Sequence, residues 1–160
     1  MLGHDGWADA RYGDFEHSSV TLNDSRLIAE LFQAFLLSKS ALKNEMQRIA
    51  DADALVLKET LTYAINLSIK KIIIATHVPP FPECCLHKGK KSDVHWLPYF
   101  SSKAIGDVIL AFAQKNPEIN ILVLCGHTHS GALFKPYENL EIKAGSAQYY
   151  KPDLQEVIII

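Results

Sequence analysis

The spacing of apolar residues predicts two helices in the first half of the chain. After a polar opening segment, apolar positions from 27 to 35 recur every three or four residues, as in an amphipathic helix. The same spacing predicts a longer helix from Ser40 to Ser68. Oxygens of Asn23, Asp24 or Ser25 are expected to cap the first helix. The predicted inner faces are Leu27, Ile28, Leu31, Phe32 and Phe35, and then Leu42, Met46, Ile49, Leu57, Leu61, Ala64 and Ile65.

Short apolar runs in the second half predict strands buried on both faces. The runs are Lys71–Thr76 and Ile119–Cys125, and a helix capped by Ser101 or Ser102 is predicted between them. That helix would turn Ile105, Val108, Ile109 and Phe112 inward, and a long loop would precede it. Shorter strands are predicted at Ala132–Phe134, Leu140–Lys143 and Val157–Ile160. Helices alternating with buried strands indicate an α/β fold, and residues 1–160 are expected to form one domain.

Histidines follow both central strands. The stretch Leu122–Gly131 (LVLCGHTHSG) carries His127 and His129 directly after the predicted strand, with Gly126 expected to form a tight turn. His77 follows the run KIIIAT in the same way. If the two strands are parallel neighbours, the three imidazoles meet at the carboxyl edge of the sheet, where such folds bind ligands. Neutral imidazole suits Zn, Fe and Mn when carboxylates join it, whereas a single histidine there is more often a hydrogen-bonded loop residue.

Taken together, CGHTHSG and ATHVPPF resemble the C-terminal half of the calcineurin-like metallophosphoesterase superfamily. GHDGWADARYGDF, LPYFSSKAIGD and QEVIII are similar to one bacterial branch of it. The resemblance implies a layered α-β-β-α sandwich, here lacking its N-terminal strands and helices. It also implies two divalent ions (Mn, Fe or Zn) that support hydrolysis of phosphomonoesters or phosphodiesters. His77 and His127 would bind the second metal, and His129 the first.

Three motifs of that superfamily, Asp-x-His, Gly-Asp and Gly-Asn-His, do not occur before His77 in their expected surroundings. The nearest strings are His4-Asp5 and Gly13-Asp14, and Asn44 has no histidine after it. A bridging carboxylate normally holds the ions about 3.5–4 Å apart, and three neutral histidines supply none. Asp5, Asp9 or Asp14 could replace it, although turns and caps are the commoner roles of aspartate. Only Met1 and Leu2 precede the glycine of GHDGW, so we expect the chain to begin inside a strand.

His4 and Asp5 are candidate substrate-binding residues, with fixation of a turn as the alternative. The alternative to catalysis is a truncated remnant that binds a metal weakly or complements a separately encoded N-terminal half. Strands lost from the sheet would leave an exposed edge, through which the chain could self-associate.

Composition narrows the class of protein. The 160 residues are 48% hydrophobic and 21% charged with a net charge of −2, which argues against nucleic-acid binding. There is no apolar run long enough to span a membrane and no signal peptide is recognisable. Three cysteines do not suggest a disulfide framework, so a cytoplasmic location is expected. The basic loop with His87, Lys88, Lys90 and Lys91 is interpreted as solvated, with phosphate steering as the alternative.

Overall fold

The computed structural model describes residues 1–158 and has a mixed α/β fold. Its strands are β1 (Leu2–Gly3), β2 (Lys71–Ala75), β3 (Leu86–His87), β4 (Lys90–Lys91), β5 (Asn120–Cys125), β6 (Ala132–Tyr137) and β7 (Leu140–Ala144). Its helices are α1 (Asp24–Leu27), α2 (Ala29–Leu37), α3 (Lys39–Asn66), α4 (Leu97–Phe100) and α5 (Lys103–Lys115). The predicted α/β class is confirmed.

Five strands form the main sheet, in the order β1-β2-β5-β7-β6. The first four are parallel to one another, and β6 pairs antiparallel with β7. Ile72 lies opposite Ile121 and Ile74 opposite Val123, which confirms that the two histidine-bearing strands are parallel neighbours. The strand expected at the start of the chain is β1, which pairs with Ile74 and Ala75 at the end of β2. The carboxyl ends of β1, β2 and β5 therefore share one edge.

Helices α3 and α5 pack against each other and against one face of this sheet. The shared core contains Leu57, Leu61, Ile72, Ile74, Ile105, Ile109, Ile121, Val123, Leu140 and Ile142. On the opposite face Leu122 and Leu124 are only half-buried, so the prediction that β5 is buried on both faces is wrong. For β2 the prediction is confirmed, since Ile72, Ile73 and Ile74 are all buried.

The long predicted helix is confirmed as α3, whose N-terminus is capped by Ser38 through a 3.0 Å bond from the Ala41 N–H. The first predicted helix is instead broken at Ile28, where ψ is 116°. The break changes the phase of the turns that follow it, so Phe32 is 40% exposed although an inner position was predicted. Leu27, at the end of α1, is 81% exposed and is also not the inner residue that was predicted. The predicted cap is also wrong, because the Asn23 side chain accepts no bond from the helix. Ile65 in α3 is likewise exposed rather than inner.

The third predicted helix is α5, but neither serine caps it. Ser102 occupies the cap position without a side-chain bond, and the Ser101 hydroxyl donates to the Leu97 carbonyl. The predicted loop before it contains the short helix α4 and the small antiparallel hairpin β3–β4.

The last predicted strand, Val157–Ile160, is not formed at Val157 and Ile158, and 159–160 lie outside the described residues. Within residues 1–158, no helix combines the length and the apolar character that a membrane crossing requires.

Candidate functional site

Four histidines lie where parallel strands end. His4 follows β1, His77 lies two residues beyond β2, and His127 and His129 follow β5. Backbone bonds tie these segments together: the His77 N–H donates to the Asp5 carbonyl (3.2 Å), and the Gly126 N–H donates to the His77 carbonyl (2.9 Å). The edge is therefore a cross-linked unit rather than a set of independent loops.

His77 and His127 are in direct contact. The Nε2 atom of His77 lies 3.1 Å from the Nδ1 atom of His127, with ring centroids 4.8 Å apart. The other ring nitrogen of His127, Nε2, is 3.2 Å from the carbonyl oxygen of Tyr99. A carbonyl can only accept, so this bond places the His127 proton on Nε2 and leaves a lone pair on Nδ1. A histidine that ligates a metal is commonly oriented by a bond of this kind.

Aromatic rings enclose the pair. Trp7 is 8% exposed and stacks on His77 at 5.8 Å with the two planes 10° apart. The Trp7 ring also meets His127 edge-on at 5.3 Å, and the Phe100 ring does so at 5.2 Å. Burial, and secondarily the neighbouring His77, lowers the pKa of His127 to about 4, while the Asp24 carboxylate opposes the shift. His127 is therefore a neutral imidazole at neutral pH, which is the form that binds metals.

The backbone at both C-terminal histidines is left-handed. φ is 67° at His127 and 58° at His129, whereas Gly126, the residue predicted to permit the turn, has no positive φ. The tight turn predicted at Gly126 is confirmed, since the Thr128 N–H donates to the Gly126 carbonyl at 2.8 Å, but the left-handed residue within it is His127. Left-handed backbone at non-glycine residues costs free energy and is enriched at functional sites.

His129 takes a different position from the other two. Its ring packs edge-on against Tyr149 at 4.7 Å, and its charge acts on His127 only as a minor contribution to the lowered pKa. Across residues 1–158, no group of three or more His, Cys, Asp or Glu side chains is arranged to hold a metal ion. The structure thus brings two of the three predicted ligands into contact and leaves the third beside a tyrosine.

Unpartnered polar atoms surround the pair. Both ring nitrogens of His4 and the hydroxyls of Thr76 and Thr128 are buried without a hydrogen-bond partner. A Cβ on Gly6 would lie 2.4 Å from the Thr76 hydroxyl and 2.7 Å from the His4 ring, so glycine is required for this close approach. Burial lowers the pKa of His4, with Asp53 and Asp5 opposing. Buried polar atoms normally have partners, so this cluster is suited to a polar ligand.

The three candidate aspartates have different roles. Asp5 is exposed at the edge, as a ligand residue would be. Asp9 is fully buried, and its carboxylate accepts from the Ala104 N–H at 2.8 Å and from Arg11, so it caps α5. Asp14 accepts from the backbone and ring of His17 in a local turn. Of these three aspartates, only Asp5 therefore has a carboxylate that a ligand at the edge of the sheet could reach.

Two acidic residues near the histidines were not predicted. Asp24 acts electrostatically on His127, and Asp53 acts on His4. Burial raises the pKa of Asp53, with His4 opposing. Both lie in helices, and their nearness to the edge depends on how α1 and α3 pack, which no local sequence signal reveals.

Comparison of the chain with protein-family models, with curated proteins and with solved structures gave no match.

Proposed function

We propose that the chain is a metal-dependent phosphoester hydrolase of the calcineurin-like type, with its reacting edge at His77 and His127. The proposal includes the layered α-β-β-α sandwich as the complete architecture. The observation that carries it is the 3.1 Å approach of two ring nitrogens, one of them fixed as a lone-pair donor by the Tyr99 carbonyl. A phosphorylated small molecule or a phosphodiester is the substrate class.

The spacing of two imidazole nitrogens supports a divalent ion at this edge. Zinc–imidazole bonds are about 2.0–2.1 Å long, so two nitrogens 3.1 Å apart can reach the same ion. Further ligands would come from solvent or substrate, because within residues 1–158 no third His, Cys, Asp or Glu side chain joins the pair. A bound divalent ion would polarise a phosphoryl oxygen and lower the pKa of a bound water.

The chain's own side chains have separable tasks. Tyr99 fixes the tautomer of His127, and Trp7 excludes water from one side of the ring pair. His77 is exposed, so a phosphoester can approach from solvent. The ring nitrogens of His4 and the hydroxyl of Thr76 are buried without a hydrogen-bond partner, so contact with phosphoryl oxygens would require the opening segment to move.

Metal binding and hydrolysis test the proposal together. Mn²⁺ or Zn²⁺ binding should be measured by calorimetry, and p-nitrophenyl phosphate and its bis ester should be assayed with added Mn²⁺. Replacing His77, His127 and His129 by alanine should abolish both signals. His17→Ala is the matched control, because that side chain is 81% exposed and bonds to Asp14 in a local turn. Equal rates for the triple variant and the unaltered chain would refute catalysis at this edge.

A non-catalytic binding module is the second candidate. The half-buried residues Leu122 and Leu124, with Leu133 at 65% exposure, form an open sheet face that a partner polypeptide could cover. Strand β1 also pairs with only the end of β2, which leaves the edge beside Ile72 and Ile73 without a strand among the described residues. The partner would be a second copy or a separately encoded half. A monodisperse monomer in light scattering, combined with specific hydrolysis, would exclude this candidate.

A further inference from the structure

A cavity of about 380 Å³ combines basic and aromatic side chains beside the histidine pair. On one side it is lined by His87, Lys90 and Lys91 from the β3–β4 hairpin. On the other side it is lined by Trp96 and Phe100, whose ring centroids are 5.2 Å apart. Trp96 is 39% exposed, so part of its ring is open to a ligand.

The charges in this cavity favour an anion. Lys90 and Lys91 form no ion pair with any residue of the described range 1–158. Asp93 is the single carboxylate among the lining residues, and it accepts from the His95 and Trp96 N–H groups at 2.8 and 3.3 Å. That carboxylate therefore fixes the turn that carries Trp96. Ser92 also lines the cavity, and its buried hydroxyl has no hydrogen-bond partner.

Phe100 connects the cavity with the reacting edge. Its ring lies 5.2 Å from Trp96 on one side and 5.2 Å from His127 on the other. The preceding residue, Tyr99, supplies the carbonyl that orients His127. One short helix, α4, thus carries both the cavity wall and the contact that holds the imidazole. Phe100 is therefore common to the cavity wall and to the surroundings of His127.

We propose that this cavity selects phosphoesters whose organic group is a planar aromatic ring of nucleobase size, with Lys90 and Lys91 attracting the phosphate. The proposal rests on the proposed function for the identity of the reacting edge. A base ring stacks on an aromatic side chain whatever its hydrogen-bonding pattern, so the wall formed by Trp96 and Phe100 selects flatness rather than a particular base. Unpaired lysines supply long-range attraction for the anion.

Binding of two matched probes to the whole chain tests this without metal or turnover. Adenosine 5′-monophosphate should bind at least about fivefold more tightly than ribose 5-phosphate in calorimetry, because only the former has a ring to stack. Trp96→Ala should remove that preference, and Trp96→Phe should keep most of it. Circular dichroism and the melting temperature of each variant show whether it is folded. The exposed position of Trp96 makes a folding defect a small risk, and the phenylalanine variant keeps the test valid.

The lysines are tested separately. Replacing Lys90 and Lys91 by alanine should weaken both probes equally and reduce the salt dependence of binding. Lys88→Ala is the matched control, since Lys88 lies at the hairpin tip and does not line the cavity. Equal affinity for the two probes, no binding of either, or an unchanged preference in Trp96→Ala would each overturn the proposal. If the chain neither binds metal nor hydrolyses the phosphoesters but still prefers adenosine 5′-monophosphate to ribose 5-phosphate, only the proposed function is overturned.

Discussion

Removal of the buried Asp9 carboxylate tests whether this residue supports the fold or the metal site. Its oxygens accept three bonds: from the Arg11 N–H at 3.1 Å, from Arg11 Nη1 at 3.2 Å and from the Ala104 N–H at 2.8 Å. Loss of one partner of a buried ion pair costs about 3–5 kcal/mol. Arg11 is 25% exposed and keeps Asp51 at 2.8 Å, so it is not left unpaired. We therefore expect Asp9→Ala to cost about 3 kcal/mol, at the lower end of that range.

The isosteric change Asp9→Asn separates charge from shape. The amide oxygen can still accept from the Ala104 N–H. The amide NH₂ group then faces a donor group of Arg11, and neither of these two donors has an acceptor. A loss of about 2 kcal/mol follows, measured by urea denaturation at pH 7 with an unchanged m-value. Asp14→Asn is the control and should change stability by less than about 0.5 kcal/mol, since its side chain is 41% exposed. At urea-free conditions Asp9→Asn should bind Mn²⁺ as the unaltered chain does. A stability change below about 0.5 kcal/mol with lost metal binding would refute the reasoning.

Three further predictions concern packing, backbone conformation and pH. A Cβ at position 106 would lie 2.4 Å from the Pro80 carbonyl, so Gly106→Ala should lower the free energy of unfolding by about 1–3 kcal/mol. Gly126→Ala is the control and should change that free energy by less than about 0.5 kcal/mol, because a Cβ there meets nothing within 4 Å. Equal melting temperatures of the two variants would contradict this. At His127 the left-handed backbone should make the glycine variant about 1 kcal/mol more stable than the alanine variant in urea, the reverse of the order expected at His77. Burial raises the pKa of the Cys84 thiol from 9.0 to about 12, so its stabilising contribution is complete below pH 9 and is lost as the pH rises towards 12. The unfolding free energy should fall above pH 9, and Cys84→Ala should make that fall shallower by about 1.4 kcal/mol per pH unit; identical slopes would refute the shift.

Local patterns predicted the parts of the fold that depend on local physics. The apolar spacing predicted α3, which buries one stripe of side chains along its length. The short apolar run predicted β2, whose central residues are buried. The pattern was misleading where packing decides. Ile28 adopts an extended conformation that splits the first helix, and the cap of α5 comes from Asp9, 95 residues earlier in the chain. A single sequence carries no signal for such a distant cap.

The candidate site likewise has one part that the sequence predicted and another that depends on tertiary packing. The strand-end positions of His77 and His127 follow from the parallel sheet, so their meeting was predictable. The Tyr99 carbonyl, the Trp7 ring and the Asp24 carboxylate depend on how α1, α4 and the opening loop fold over the edge. They are ordinary residues in their local sequence and acquire a role only through tertiary contacts.

The strained backbone at His127 gives an independent reason to treat this edge as a site. The left-handed conformation costs free energy at any residue with a Cβ, and Gly126, which would adopt it without cost, lies directly before. The strain persists because Trp7, Phe100 and the Tyr99 carbonyl fix the ring from three sides. The arrangement is the one expected of an imidazole whose lone pair must point to a fixed position beside His77.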